Sequence, residues 1–219
     1  MQIDSPVLIK TDLKKAFEEG ARTHKPVILE LGCGPKKGSN KDQIHLGADI
    51  LDLPGVDIVA DLNKGLGFLP DSSIDEVHAS SFFAHLEHFE LLMKEIVRVL
   101  KPNGVCRAYV PHFANPYFYS DYTHRRFFGL YTFYYFVDSK EQLHRKVPTF
   151  YGPTRIHIDS IEYVFKSPFR IRAIIKRIWG KIFNSSRWMK EFYEENLCQI
   201  IPCYALQVVF RPDKSGKPH

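Results

Sequence analysis

Three carboxylates stand out by position. Glu30 closes the apolar run VILE, Asp49 follows IHLGA, and Asp61 follows VDIVA. Directly after Glu30 the chain turns through Gly32, Cys33 and Gly34, with a third glycine at position 38. Each acid sits where a short apolar segment gives way to a loop. An acid at such a point suits a ligand with positive charge, or one with paired hydroxyls, since one carboxylate accepts two hydrogen bonds at once. A second set is rich in histidine: His85, His88, His112 and His124, with Asp121 three residues before His124. Imidazole, with a reference pKa of ~6.5, is suited to general-base work near neutral pH.

The elements that must position these groups follow from hydrophobic pattern. Thr11 to Thr23 reads as a helix, capped by Thr11 or Asp12, with Leu13, Ala16 and Phe17 on one face. Pro26 to Leu31, Ile44 to Ala48, Val56 to Ala60, Ile74 to Ser80 and Val105 to Val110 read as five short strands. Phe89 to Lys101 is an amphipathic helix, with Phe89, Leu92, Ile96, Val99 and Leu100 at helical spacing, stopped by KPNG at 101–104. Further on, Arg155 to Phe165 and Tyr204 to Phe210 read as strands, and 169–184 and 186–199 as helices. Strands alternating with helical segments predict an α/β domain around a parallel sheet. Right-handed crossovers then bring the strand C-termini to one edge, where ligands of such sheets bind. Glu30, Asp49, Asp61, Ser80 and His112 all follow strand ends and are expected to share that crevice.

The ligand class follows from what the glycine turn lacks. A dinucleotide fold needs G-x-G-x-x-G and rests a pyrophosphate on a helix N-terminus. Here Lys37 occupies the third glycine position, and Pro35, Gly38, Ser39 and Asn40 disfavour a helix. Glu30 would also oppose a dianionic ligand. S-adenosylmethionine (SAM) has no phosphate, carries a sulfonium and an ammonium, and offers two ribose hydroxyls. Asp49 is placed for the ribose and Asp61 for the adenine amino group.

VILELGCGPKKG, GADI, VDIVADLN, LPDSSIDEVHASSFFAHLEH and LKPNGV, in that order, resemble the motifs of class I SAM-dependent methyltransferases, most of all the small bacterial type 11 methyltransferase-domain proteins. The resemblance covers about 26–111. It implies a Rossmann-like, seven-stranded, mostly parallel sheet with the last strand antiparallel, helices on both faces and helical insertions after strands 5 and 6. One domain is expected over 1–219, with a cofactor half at about 24–111 and acceptor-side elements at about 112–212. The resemblance also implies that Glu30, Gly32 and Gly34, with Cys33 in their turn, line the methionine end of SAM. Asp49 would bind ribose, Asp61 with Leu62 would flank adenine, and Ser80 would lie beside the sulfonium. The helix-poor segment 35–43 departs from the family pattern. PHFANPYFYSDYTHRRFFGLYTFYYF and FYEENLCQIIP resemble a subgroup thought to act on sugars or cell-surface polymers.

Methyl transfer mainly requires alignment, and a hydroxyl acceptor gains from a base. His112 or His124 is expected to take the proton, with Asp121 orienting His124. Against this, Asp121, Thr123 and His124 would equally form a cap for a helix starting near Arg125. No metal is assigned, since nothing in the sequence fixes the distances among the histidines. FFGLYTFYYF (127–136) reads as a lid, a platform for a flat acceptor, or core. In RIRAIIKRIWGKIF (170–183), Ile171, Ile174, Ile175, Ile178 and Ile182 share one face beside Arg172, Lys176 and Arg177, a pattern for peripheral contact with an anionic membrane or for ordinary packing.

The 219 residues, 44% hydrophobic and 25% charged, suit one globular domain. No apolar run of membrane-spanning length occurs, and the first twenty residues lack the apolar core of a signal peptide. Four cysteines without a CxxC pair fit free thiols and a cytoplasmic protein. A net charge of +5 permits an RNA partner. However, no binding module is appended, and SSFF (80–83) stands where base-amino methyltransferases carry Asn/Asp-Pro-Pro-Tyr/Phe. A small-molecule or glycan acceptor is therefore expected, with RNA methylation and non-catalytic SAM binding as the rival readings.

Overall fold

The structure is a computed structural model describing residues 7–214. Its centre is an eight-stranded sheet formed by β1 (Leu8–Ile9), β2 (Val27–Leu31), β3 (Ile44–Asp49), β4 (Ile58–Val59), β5 (Ile74–Ser80), β6 (Leu100–Pro111), β7 (Ile156–Val164) and β8 (Ala205–Pro212). The spatial order is β1-β4-β3-β2-β5-β6-β8-β7. Strands β4, β3, β2, β5 and β6 run parallel, while β8 is antiparallel to both β6 and β7. The seven expected strands are all present. The addition is β1, a two-residue strand lying antiparallel on β4 at the edge of the sheet.

Four α-helices accompany the sheet: α1 (Leu13–Thr23), α2 (Phe89–Val99), α3 (Arg170–Phe183) and α4 (Arg187–Asn196). Asp12 caps α1 by accepting from the Lys15 amide at 3.0 Å. Helix α1 packs on β2, α2 on β6 and β8, and α3 on β7 and α4. In β2, Val27, Ile28, Leu29 and Leu31 are buried and only Glu30 is partly exposed, the pattern of a strand covered on both faces.

Segment 112–155 departs from expectation. The insertion after the fifth parallel strand (β6) contains no α-helix, only 3-10 turns at Phe118–Ser120 and Thr132–Phe136, and no helix starts at Arg125. Tertiary packing wins over local pattern here. Phe128, Leu130 and Phe133 are fully buried, and Phe89 meets Phe128, Phe133 and Phe136 edge-on at ring separations of 5.3, 5.9 and 5.9 Å. The segment is largely a plug of core rings, with Phe127 left in solvent. The insertion after β7 is helical, as expected, and consists of α3 and α4.

One polar clamp holds the loop between β4 and β5. Arg98 of α2 donates to the Leu66 and Leu69 carbonyls, both at 2.9 Å, and to Glu95 at 2.9 and 2.7 Å. Glu95 in turn accepts from the Leu66 amide at 3.1 Å. The Arg98 hydrogen bond holds the Glu95 carboxyl below its ordinary pKa. Arg98→Ala would strand these carbonyls and the acid together. We expect a loss of about 2 kcal/mol of stability, read by calorimetry as a fall in Tm of roughly 4–8 °C. An unchanged Tm would contradict the clamp. Because the Glu95 pKa is depressed in the folded state, its contribution is present above its unfolded value and is lost as pH falls through the folded one.

Candidate functional site

Strands β4, β3, β2 and β5 are neighbours and parallel, so their C-terminal ends share one edge of the sheet. Asp61, Asp49, Glu30 and Ser80 lie along that edge in this order. Their register is direct: Glu30 pairs with Gly47 and His78, Asp49 with Val59, and Ser80 with Tyr109.

Each acid is held by amide or imidazole donors. Glu30 Oε1 accepts from the Gly38 amide and from His45 Nδ1, both at 2.8 Å. Asp49 Oδ2 accepts from the Gly34 amide at 2.9 Å, and its Oδ1 from the Leu51 amide at 3.0 Å. Asp61 caps the turn Leu62–Lys64 through the Asn63 amide at 3.0 Å and also takes the Asn63 side-chain amide at 3.2 Å. Asn63 passes the connection on, its Oδ1 accepting from the Glu87 and His88 amides at 2.8 and 3.2 Å. Leu62 beside Asp61 is buried. The acids are therefore positioned groups, with all three partly exposed.

The loop after β2 depends on its glycines. Gly32 has φ +64°, and a Cβ there would come within 2.6 Å of the Phe82 ring. Gly34 has φ +60°, and a Cβ there would have no heavy atom within 4 Å, so this backbone borders open space. Segment 35–43 forms turns without a helix. The helix N-terminus that would bind a pyrophosphate is therefore missing from this loop, and its amides at 34 and 38 are spent on carboxylates. The Cys33 thiol is pushed up to about 11 by burial and then by Asp49 and Glu30. It stays protonated at neutral pH and is no nucleophile. All four cysteines are free.

The histidines separate into two kinds. His112 is fully buried, and both of its nitrogens are engaged. Nδ1 accepts from the Ala114 amide at 3.0 Å, and Nε2 lies 2.9 Å from Glu194 Oε2. Glu194 also accepts from the Tyr163 hydroxyl and the Leu130 amide, both at 2.8 Å. The expectation that His112 can take an acceptor's proton is corrected accordingly. Its imidazole has no nitrogen free for a substrate and instead ties β6 to α4, β7 and the aromatic plug.

His124 is different. Its loop docks on the turn after β5, where the Ala84 carbonyl accepts from the Arg125 and Arg126 amides at 2.7 and 3.1 Å. Nδ1 of His124 donates to the Phe118 carbonyl at 2.9 Å, and Nε2 lies 3.5 Å from Asp121 Oδ2. Thr123 donates to Asp121 Oδ1 at 2.5 Å and lies 2.9 Å from His85 Nδ1. These bonds, Thr123 first, keep the Asp121 carboxyl below its ordinary pKa. The His85 and His124 rings are 4.9 Å apart. One donor atom from each of His85, Asp121 and His124 falls within 4.8 Å of the others, a grouping able to collect a divalent cation.

Sequence reasoning missed His45, Asn63 and Glu194. Each acts on a partner far along the chain, and no local pattern marks it.

Residues 48–108, from Ala48 in β3 to Ala108 in β6, match the family model described as a methyltransferase domain. No curated protein matches the chain. Among solved structures, a SAM-dependent methyltransferase from Archaeoglobus fulgidus is 14% identical with a TM-score of 0.52, covering 92% of this chain and 95% of that one. A coclaurine N-methyltransferase, bound to N-methylheliamine and SAH, is 13% identical with a TM-score of 0.51, covering 96% and 76%. At such identities the structural likeness speaks for the fold, and the family match across β3 to β6 speaks for the activity. Residues 48–108 are thus a methyltransferase domain, set in a chain whose fold is shared with SAM-dependent methyltransferases.

Proposed function

We propose that this enzyme transfers the SAM methyl to a hydroxyl of a small molecule or a sugar-containing precursor. The carrying observation is the row of Glu30, Asp49 and Asp61 at successive parallel strand ends, next to a glycine loop with no helix behind it. In this reading the open face at Gly34 receives the methionine portion, Asp49 the ribose hydroxyls and Asp61 with Leu62 the adenine. Glu30 acts mainly by holding the loop through Gly38 and His45. At Asp49 each carboxylate oxygen accepts one amide and keeps a second lone pair, so these bonds leave room for the ribose hydroxyls.

On the acceptor side, His124 is the base. With Nδ1 committed to the Phe118 carbonyl, Nε2 is the nitrogen left to accept a proton, and Asp121 stabilises the imidazolium that results. Convergence of His85, Asp121 and His124 supports a second reading, in which a divalent cation there lowers the hydroxyl's pKa. Chelator treatment separates the two. The base reading expects an unchanged rate, while a rate lost to chelator and restored by Mn²⁺ or Zn²⁺ favours the cation.

Asp49→Ala should weaken SAM binding by about 1–3 kcal/mol, the value of hydrogen bonds to a charged group. Isothermal titration calorimetry reads this directly, and unaltered affinity would remove Asp49 from the ribose site. His124→Ala should lower turnover by roughly 10²–10⁴-fold while SAM affinity stays near wild type. Full activity in that variant would exclude it as the base.

A further inference from the structure

We infer that α3 seats the enzyme on an anionic lipid surface, an inference independent of the acceptor's identity. In an ordinary surface helix the apolar stripe faces the core. In α3 the stripe faces away from it. Ile171, Ile174, Ile175, Ile178 and Ile182 are 77, 59, 46, 54 and 40% exposed, and Phe169 just before the helix is 59% exposed. The residues turned toward the body are Ala173, Lys176, Trp179, Gly180 and Phe183. At ~100° per residue the two sets lie on roughly opposite sides of the helix axis. The inward set is anchored: Phe183 is buried against Tyr193 at a ring separation of 4.6 Å, Trp179 stacks on Phe183 at 5.6 Å, and Lys176 Nζ donates to the Pro202 carbonyl at 3.1 Å. The outward isoleucines are thus displayed by a helix that is fixed to the body on its other side.

Charge identifies the occupant. From Lys166 to Lys190 the sequence has eight Lys or Arg and no Asp or Glu. Arg170, Arg172, Arg177 and Lys181 are exposed and flank the isoleucine stripe. Apolar residues that enter an acyl boundary, rimmed by cations that meet acidic headgroups, are the requirements of an interfacial helix. A second copy of the chain fits poorly, because a two-fold contact through α3 would set like charges against each other. No helix among the described residues is long and apolar enough to cross a membrane, so the contact is peripheral.

The test is co-sedimentation of the full chain with vesicles of phosphatidylcholine alone or mixed with phosphatidylglycerol, over a range of salt, alongside light scattering of the free protein. Binding is expected to the phosphatidylglycerol vesicles, to fall as salt rises, and to drop at least roughly tenfold in Ile174→Ser/Ile178→Ser. Both positions are exposed, so that variant should fold and bind SAM like wild type. Retained SAM binding separates a failure here from a failure of the cofactor site. A chain that stays in the supernatant with anionic vesicles, or a double variant that binds them as wild type does, overturns the inference. So does a dimer in solution that the same variant dissociates.

Discussion

The cofactor end of this molecule depends on one constraint: acids at the ends of parallel strands must be held in place without being neutralised. Amide hydrogen bonds meet that demand. The Gly38, Gly34, Leu51 and Asn63 amides each donate to a strand-end carboxylate, stabilising the anion and freezing the loop that supplies the donor. One set of bonds thus shapes the loops and maintains a negative rim. In a phosphate-binding fold the same amides would be aimed at the ligand. Here they are aimed at the protein's own acids, and the proposed preference for a cationic ligand rests on that reversal.

Behind the acceptor side a second network performs a different task. His112, Glu194, Tyr163 and the Leu130 amide form a buried cluster joining β6, α4, β7 and the aromatic plug. Burial, then the Glu194 charge, pushes the Tyr163 hydroxyl far above its ordinary pKa, so it remains a donor to Glu194. The cluster ties the end of β6 to α4 and to the segment that carries the plug. That division of labour explains why two histidines that look alike in sequence differ so sharply: His112 has both nitrogens in a buried network, while His124 has only Nδ1 in a close hydrogen bond, its Nε2 lying 3.5 Å from Asp121.

What could be read in advance follows from the range of the forces involved. The strands β2, β3 and β5 and the helices α1 and α2 announce themselves by local period and caps, so their limits were legible to within a residue or two. The acids were legible because strand end and loop start are local features. Strand β1 was not, since two residues on an edge carry no period. The 127–136 segment stayed open between lid, platform and core, because its conformation is set by rings distant in sequence, such as Phe89 and Phe210. His45 and Glu194 escaped for the same reason: their partners lie 15 and 82 residues away. The isoleucines of α3 were recognised as a stripe, but periodicity cannot say whether a stripe points inward or outward.

The central claim is that this rim selects a cationic, phosphate-free nucleoside. Parallel calorimetric titrations of the full chain with SAM and with NADH test it most directly. Saturable SAM binding with no heat from NADH is the result predicted. NADH binding as tightly as SAM, or SAM failing to bind at all, would contradict it.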